Sequence, residues 1–467
     1  MAVLSKLEKL SNIDRISDLP DPLLLHILSF LPVKSAASTC SLSKRWQHLY
    51  MSLPNLDFHD DDFRENPTNF IKSVDYMLMT TENNVMLNRF SLSCEGDDVD
   101  ADHVDSWLWR PLRYYNVQVL KLSLALTSPY KLPDHVYICT TLQVLSLNWN
   151  IIIDVPQFFS LPRLNVLELC DVTFSSTEAF DKLLINCPVL ENLVIRDCDC
   201  LTGNHVKIFG NALKTLRLQY SAHFEQEVEL EFLIDAPAVV NLYVDRSEAV
   251  EIKTHMLFLE TATIDGYPKA QWHVSSVQTD GLFRFLGMIS HVRRLTLTSD
   301  IIVAIKRAAV CKVPTFHNLT DLQLLFDGVA APAAGWSLLP KILASSPILV
   351  NLVFPHGLAR DFYAERRLSG FAFIPPKTVP ECLSSNLKSI EIRDFRGIAQ
   401  EFGIIQYLLK HGRVLNKMSI DCSHLWLKEM TVGVKRKRHR PLILSEIKKK
   451  LSEFHRCSTS CKLHLSP

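Results

Sequence analysis

One short hydrophobic phrase recurs through most of this chain, and it constrains the fold more than any other feature of the sequence. Ten segments follow the pattern L-x-x-L-x-L or a close variant, beginning at residues 117, 142, 164, 190, 213, 239, 292, 319, 349 and 387. Between residues 142 and 246 the copies begin 22 to 26 residues apart. Alternating apolar residues predict one short strand per copy with one buried face, so the series predicts a stack of repeated units around a continuous core.

The segments between the strands indicate how the chain returns from one strand to the next. "SSTEAFDKLLINCP" predicts a helix with a capping box formed by Ser175 and Glu178. "TDGLFRFLGMIS" and "FGIIQYLLKHG" also predict helices, the second ending at Gly412. Copies spaced in this way are typical of leucine-rich repeats. We therefore expect an α/β solenoid with parallel strands on its concave face.

The first fifty residues predict three short helices. The stretch "DRISDLPDPLLLHILSFLP" (14–32) predicts a helix that is capped by Asp21, runs to Phe30 or Leu31, and is apolar on nearly all sides. "VKSAASTC" and "SLSKRWQHLY" follow, and the latter places Leu42 and Trp46 on one side of a helix together with Leu49 and Tyr50. Three helices in about 40 residues bury little surface alone. We expect their excess apolar face to be covered either by the rest of this chain or by another protein.

"LPDPLLLHILSFLP" followed by "SLSKRWQHL" resembles an F-box. The matching positions are Leu19, Pro20, Ile27, Leu28, Leu31, Pro32, Ser43, Lys44, Arg45, Trp46 and Leu49. The resemblance implies that these helices bind the Skp-family adaptor of a cullin-RING ubiquitin ligase and, through the adaptor, a cullin. It also implies which residues lie in that contact or support it: Leu19, Pro20, Ile27, Leu28, Leu31, Pro32 and Trp46.

The C-terminal third resembles the FBD domain that ends many plant F-box proteins with leucine-rich repeats. The resemblance is carried by "PECL", "NLKSIEI", "YLLKHGRVLNKMSI" and "CKLHL". It implies an α+β region that caps the solenoid, with strand, turn, helix and strand over 379–420, a helix near 445–455 and a last strand at 461–465. The expected domains are an F-box at 11–57, a linker and solenoid start at 58–115, leucine-rich repeats at 116–375 and an FBD domain at 376–467. The acidic "DFHDDDFREN" (57–66) is expected to be a solvated link.

The strand residues between the leucines are expected on the concave face, where repeat proteins bind other proteins. They show no cluster of one charge sign, and they include Ser146, Asn148, Glu168, Arg196, Arg217, Gln219, Tyr243, Asp245, Thr296 and Gln323. Together with the F-box resemblance, this face predicts the substrate-recognition subunit of a Skp–cullin–F-box E3 ubiquitin ligase with an unknown target protein. Two alternatives stay open: a scaffold or regulator that binds the adaptor without ubiquitinating a target, and a small-molecule co-receptor.

Composition and motifs argue against other classes of function. Lys+Arg and Asp+Glu are balanced at 50 each, which disfavours a nucleic-acid binder. There is no catalytic motif, zinc-type Cys/His spacing or nucleotide-binding loop, so we expect no catalysis, metal or cofactor. We expect no membrane span or secretory signal, and mostly buried, reduced thiols. The run "KRKRHR" (435–440) is typical of a nuclear-localisation signal or of a solvated loop, so we expect the protein in the nucleus, the cytoplasm or both.

Overall fold

The computed structural model describes residues 16–63, 66–81, 87–96, 98–200, 205–219, 231–245, 250–266, 276–298, 301–302, 304–305, 313–326, 331–358, 373, 375–423 and 440–466. The chain forms two compact units, one ending at Asn204 and the other beginning at His205. The predicted basic localisation signal lies outside the described residues, apart from Arg440. None of the described helices is long and apolar enough to cross a membrane.

Three short helices begin the first unit. They are α1 (Asp21–Leu28), α2 (Val33–Ser38) and α3 (Lys44–Met51), with a 3₁₀ turn at Thr39–Ser41 between the last two. α1 is shorter than predicted, and Pro20 rather than Asp21 takes the cap position with an extended backbone. The Ser29 hydroxyl donates to the carbonyl oxygen of His26 at 2.7 Å, and Pro32 disfavours helical conformation in the residue before it. The helix ends at Leu28, with Ser29 as its C-cap.

The rest of the first unit is a parallel sheet with helical returns. Its strands are β1 (Asn55–His59), β2 (Arg89–Cys94), β3 (Val119–Leu124), β4 (Tyr130–Lys131), β5 (Val144–Ile153), β6 (Val166–Phe174), β7 (Asn192–Arg196) and β8 (Asp199–Cys200). Its further helices are α4 (Pro67–Thr80), α5 (Ala101–Tyr114), α6 (Asp134–Tyr137) and α7 (Thr177–Ile185). The strands pair in the order β1-β2-β3-β5-β6-β7, with β4 beside β5 and β8 beside β6.

The acidic stretch at 57–66 is not a solvated link, because its first three residues belong to β1. Phe58 is buried and pairs with Leu92 of β2. Asp60 begins a 3₁₀ turn, and its Oδ2 accepts hydrogen bonds from the backbone N–H groups of Glu95 and Gly96 at 2.7 and 2.8 Å. Residues 57–59 therefore belong to the sheet, in a strand that was not predicted, and Asp60 ties the following turn to the residues after β2.

The second unit contains twelve described strands. They are β9 (His205–Phe209), β10 (Thr215–Gln219), β11 (Glu231–Asp235), β12 (Asn241–Val244), β13 (Val250–Ile252), β14 (Thr261–Ile264), β15 (Arg294–Leu297), β16 (Asp321–Leu324), β17 (Asn351–Phe354), β18 (Ser389–Ile392), β19 (Lys417–Asp421) and β20 (Lys462–Ser466). The helices are α8 (Ser276–Met288), α9 (Ala331–Ala344), α10 (Glu381–Ser385), α11 (Ala399–His411) and α12 (Arg440–Ser452).

These strands form two parallel sheets. The larger has the order β10-β12-β14-β15-β16-β17-β18-β19-β20. The smaller, β9-β11-β13, was not predicted. The apolar rows of the larger sheet are continuous in register, as in Leu352, Ile390 and Met418, which are fully buried. The core of the unit lies along these rows.

The C-terminal strands continue the solenoid instead of forming a separate fold. β17 pairs with β18 from Asn351 with Ser389 to Phe354 with Ile392, and β19 and β20 follow in the same parallel direction. The structure adds the short helix α10 before β18, and it places α12 at Arg440–Ser452 instead of near 445–455.

The predicted capping box of α7 is displaced by one residue. Ser176 is the cap, and its hydroxyl accepts from the backbone N–H of Ala179 at 3.1 Å. Ser175 instead donates its hydroxyl to Asp154 Oδ1 at 3.0 Å. The predicted end of α11 at Gly412 is confirmed.

Candidate protein-binding surfaces

The N-terminal helices expose more apolar surface than their own chain covers. In α1, Leu24 and Leu28 are buried, whereas Leu23 and Ile27 on the other side are 50% and 42% exposed. Four further apolar side chains near them are exposed: Ile16, Phe30, Leu31 and Leu42. An exposed apolar patch of this kind, on a module with polar surroundings, marks a protein-interaction site. We call Leu23, Ile27, Phe30 and Leu31 the apolar face.

The predicted adaptor-binding residues divide into two groups. Pro20, Ile27, Leu31 and Pro32 are exposed, and Leu19 is partly exposed. Leu28 and Trp46 are buried, at 1% and 7% exposure, so they hold the helices together and present little surface to a partner. Leu42 was predicted on the same side of the third helix as Trp46, but α3 begins only at Lys44, and Leu42 is exposed whereas Trp46 is buried.

Arg45 fixes the chain that leads into α1. Its Nε and Nη2 donate to Asp21 Oδ1 at 2.8 and 2.6 Å. The same guanidinium donates to the carbonyl oxygens of Ser17 at 2.5 Å and Leu19 at 2.6 Å. Because both charged groups are largely exposed, the ion pair itself contributes at most about 1 kcal/mol. Its main effect is geometric, since four hydrogen bonds set the position of Leu19 and Pro20 relative to α3.

In the first unit, the predicted target-binding residues lie on the strand face that alternates with the core. Asn148, Glu168 and Arg196 are partly exposed there. Ser146 is only 4% exposed, which corrects its predicted solvent position. In the sheet register it lies between Lys121 of β3 and Glu168 of β6. These longer side chains, on strands about 4.8 Å away on either side, cover the short serine.

In the second unit, one polar network joins several of these positions. Arg217 places its guanidinium carbon 4.0 Å from the centre of the Tyr243 ring, and it donates to Gln219 Oε1 at 3.0 and 3.2 Å. The Tyr243 hydroxyl donates to Asp265 Oδ2 at 2.7 Å. Burial and this hydrogen bond raise the pKa of Tyr243. Asp265 was not predicted, because it follows β14, whose apolar pattern went unrecognised.

Asp245 does not take the exposed position predicted for it. It follows the last residue of β12, and only 8% of its surface is exposed. Its backbone N–H donates to the carbonyl oxygen of Leu218 at 3.2 Å. Thr296 and Gln323 lie next to each other in the paired strands β15 and β16, on the same face as Tyr243.

Three family models match the chain. They are the F-box domain over residues 16–55, the leucine-rich repeats of the FBD-associated F-box protein At5g56370 over 104–257, and FBD over 375–420. The F-box/LRR-repeat protein At4g14103 of Arabidopsis thaliana is 32% identical over 362 residues, or 73% of this chain and 91% of the relative. The chain belongs to the plant F-box/FBD/leucine-rich-repeat family. The F-box/FBD/LRR-repeat protein At5g22660 of the same plant is 27% identical over 469 residues, or 97% and 96% of the two chains.

The F-box match covers the helices that carry the apolar face and the Arg45 hydrogen bonds. The leucine-rich-repeat match covers most of the partly exposed strand residues, from Asn148 to Tyr243. The FBD match covers β18 and β19, and these two strands continue the sheet of the repeats in register. The three matched segments therefore contain most of the two candidate surfaces and two of the strands that continue the sheet.

The described cysteines of this F-box/FBD/leucine-rich-repeat protein are free thiols, and most are buried. Burial raises the pKa of Cys187 and of Cys382 to about 12. A thiol with so high a pKa carries almost no thiolate near neutral pH, so these two are poor nucleophiles. Among the described residues, no three His, Cys, Asp or Glu side chains are arranged to hold a metal ion.

Proposed function

We propose that this protein is the substrate-recognition subunit of a Skp–cullin–F-box E3 ubiquitin ligase. Its F-box would bind a Skp-family adaptor and, through the adaptor, a cullin, while the leucine-rich-repeat and FBD regions bind the target protein. The observation that supports this most directly is the apolar face, which the described chain leaves uncovered. The role is non-catalytic, because a receptor accelerates ubiquitin transfer by holding the target near the conjugating enzyme.

The apolar face provides the energy for a stable contact. Burying a fully exposed leucine or isoleucine contributes about 1.5–3 kcal/mol, and Ile27 and Leu31 are each about two-fifths exposed before binding. Interfaces of stable complexes gather such side chains at their centre, where a few of them carry most of the affinity. The hydrogen bonds of Arg45 support this contact by fixing the backbone at its edge.

Negative charges on the apolar face should weaken adaptor binding. In the Ile27→Glu/Leu31→Glu variant, two carboxylates would be buried without partners, so we expect at least a 100-fold rise in the Kd for a purified Skp-family adaptor. The matched control is Ile138→Glu/Ile185→Glu, which introduces the same charges at exposed apolar positions of the repeats. Isothermal titration calorimetry measures both, and thermal melts verify folding. Leu28 and Trp46 are left intact because their loss would disturb the fold.

Equal affinity of the two double variants, or no binding by the unchanged protein, would overturn the proposal. The scaffold alternative shares the adaptor contact and differs only in its consequence. A bound protein whose ubiquitination in a reconstituted ligase disappears with Ile27→Glu/Leu31→Glu, and persists with the control, identifies a receptor. A bound protein that is never ubiquitinated identifies a scaffold.

A further inference from the structure

The larger sheet of the second unit ends at β20, and the outer edge of this strand is unpaired among the described residues. Among the strands that the structure describes, β20 pairs in register with β19 alone. The N–H of Lys462 donates to the carbonyl oxygen of Asn416, and the carbonyl oxygen of Ser466 accepts from Cys422. Successive residues of a strand direct their backbone N–H and C=O groups to opposite edges. Because Lys462 and Ser466 bond to β19, the N–H and C=O groups of Leu463 and Leu465 point to the open edge. The edge therefore offers two donors and two acceptors in strand geometry.

The apolar side of β20 is also incompletely covered. Ile390 and Met418, in the two preceding strands of the same row, are fully buried, whereas Leu463 is partly exposed. Leu465 is likewise partly exposed. The first strand of the other unit shows the contrast, because Leu56 in β1 is fully buried. Within the described part of the chain, the row of core side chains ends at β20, and a further strand would extend it.

The polar side of the edge carries uncompensated positive charge. Lys462 lies directly opposite Lys417 in the register of β19 and β20, and His464 follows on the same side of the strand. Neither lysine forms an ion pair with a residue that the structure describes. Like charges opposite one another destabilise a strand pair, and an acidic residue beside them removes the penalty. Acidic side chains are therefore favoured next to this side of β20.

We propose that β20 binds an extended segment of another protein as an added strand, with apolar side chains that alternate with acidic ones. The apolar side chains extend the row of Leu463 and Leu465, and the acidic ones lie beside Lys462 and Lys417. Main-chain hydrogen bonds provide affinity and the alternating side chains provide specificity, as in other strand additions. A second copy of this chain fits less well, because pairing β20 with itself brings the basic side chains of both copies onto one face.

The proposal goes beyond the proposed function, since strand addition at β20 does not require the adaptor. The probe is a capped, fluorescein-labelled ten-residue peptide in which valine alternates with glutamate, titrated into the full chain. We expect a Kd below 100 μM, and at least tenfold weaker binding when every glutamate is replaced by lysine. Two further peptides are N-methylated on the valines or on the glutamates. In an added strand only alternate N–H groups point to β20, so one of these two peptides should lose binding and the other should keep it.

Protein variants locate the site. Leu465→Pro removes one outward donor without touching a bond to β19, and edge strands tolerate proline, so we expect a folded protein with at least tenfold weaker peptide binding. Lys462→Glu should reverse the preference between the glutamate and lysine peptides. The matched control is Lys449→Glu, the same charge change at an exposed position of α12, and it should leave binding unchanged. Thermal melts verify that all three variants fold.

Hydrogen exchange separates strand addition from binding through side chains alone. Saturating glutamate peptide should slow exchange of the Leu463 and Leu465 amides at least tenfold, with smaller changes at Lys462 and His464. Equal binding of the glutamate and lysine peptides, or no added protection at the two leucine amides, would overturn the proposal. So would a dimer in analytical ultracentrifugation that Leu465→Pro dissociates, because the occupant would then be a second copy. None of these measurements contains the adaptor, so a failure of adaptor binding would not change their results.

Discussion

Glu401 is a carboxyl group in an environment that opposes its charge. It is fully buried at the start of α11, and its Oε2 accepts from the N–H groups of Arg396 and Ile398 at 3.1 and 3.2 Å. No described group donates a hydrogen bond to Oε1. Burial raises the pKa of Glu401 to about 7, although the neighbouring N–H groups and the charge of Arg396 oppose the rise. The hydrogen bonds therefore position the side chain without fully compensating its desolvation.

The raised pKa predicts a pH-dependent stability. The folded protein holds this proton more tightly than the unfolded chain, so the contribution is complete below about pH 4.5 and is lost as pH rises through about 7. The loss is about 3 kcal/mol for a shift of this size. We expect Glu401→Gln to exceed the unchanged protein in stability at pH 8 and to approach it at pH 5, measured by urea denaturation. Exposed Glu446→Gln is the control. Parallel pH profiles for all three proteins would contradict the assignment.

The turn after β17 shows how a single element depends on one glycine. Gly357 has a φ of +73°, and a Cβ there would lie 2.9 Å from the carbonyl oxygens of both Arg393 and Asp394. Gly403, inside α11, has no heavy atom within 4 Å of a Cβ position. The two glycines therefore differ in what they provide, since the turn needs its glycine and the helix does not.

Alanine at these two glycines should have opposite effects. Gly357→Ala introduces both a strained backbone and a clash with main-chain atoms, so we expect about 1–3 kcal/mol of destabilisation. Gly403→Ala removes backbone entropy from the unfolded chain at a helical position, so we expect about 0.5–1 kcal/mol of stabilisation. Chemical denaturation of both variants measures the difference. Effects of the same sign would show that the turn or the helix is misassigned.

The L-x-x-L-x-L phrase predicted ten strands because each buried row needs an apolar residue at every second position, and all ten are present. β1, β2 and β14 carry the same spacing with a phenylalanine or alanine replacing one leucine, at Phe58, Phe90 and Ala262, and were overlooked. The strands of the small sheet β9-β11-β13 do not carry the L-x-x-L-x-L pattern.

The F-box pattern predicted a contact, but not that Leu28 faces inward and Leu23 outward. Ser146 shows the same limit, because burial depends on neighbouring strands.

At the scale of the whole molecule, the F-box helices also protect the first unit. α2 packs against β1, and Leu56 and Phe58 of that edge strand are buried. Repeat arrays require such covers at their ends, because a terminal repeat otherwise exposes its core. The N-terminal helices therefore combine the exposed apolar face with a structural role in their own chain.

This dual role predicts the result of a deletion. Removal of residues 1–52 should expose Leu56 and Phe58, and we expect faster amide exchange in β1 and β2 together with a lower melting temperature of the chain. Removal of residues 1–15 alone, which leaves α1 to α3 intact, is the matched control. Unchanged exchange in β1 after the longer deletion would mean that the F-box is an independent attachment.

The shared register of β17 and β18 has a consequence for how such genes diversify. β17 pairs with β18 as one repeat strand pairs with the next, so the unit of change is one strand with its return segment. Duplication or loss of a whole unit would lengthen or shorten the array by one step and leave every other pairing as it was. Recombination at that spacing thus offers a lineage new strand surfaces while the N-terminal F-box helices are inherited unaltered.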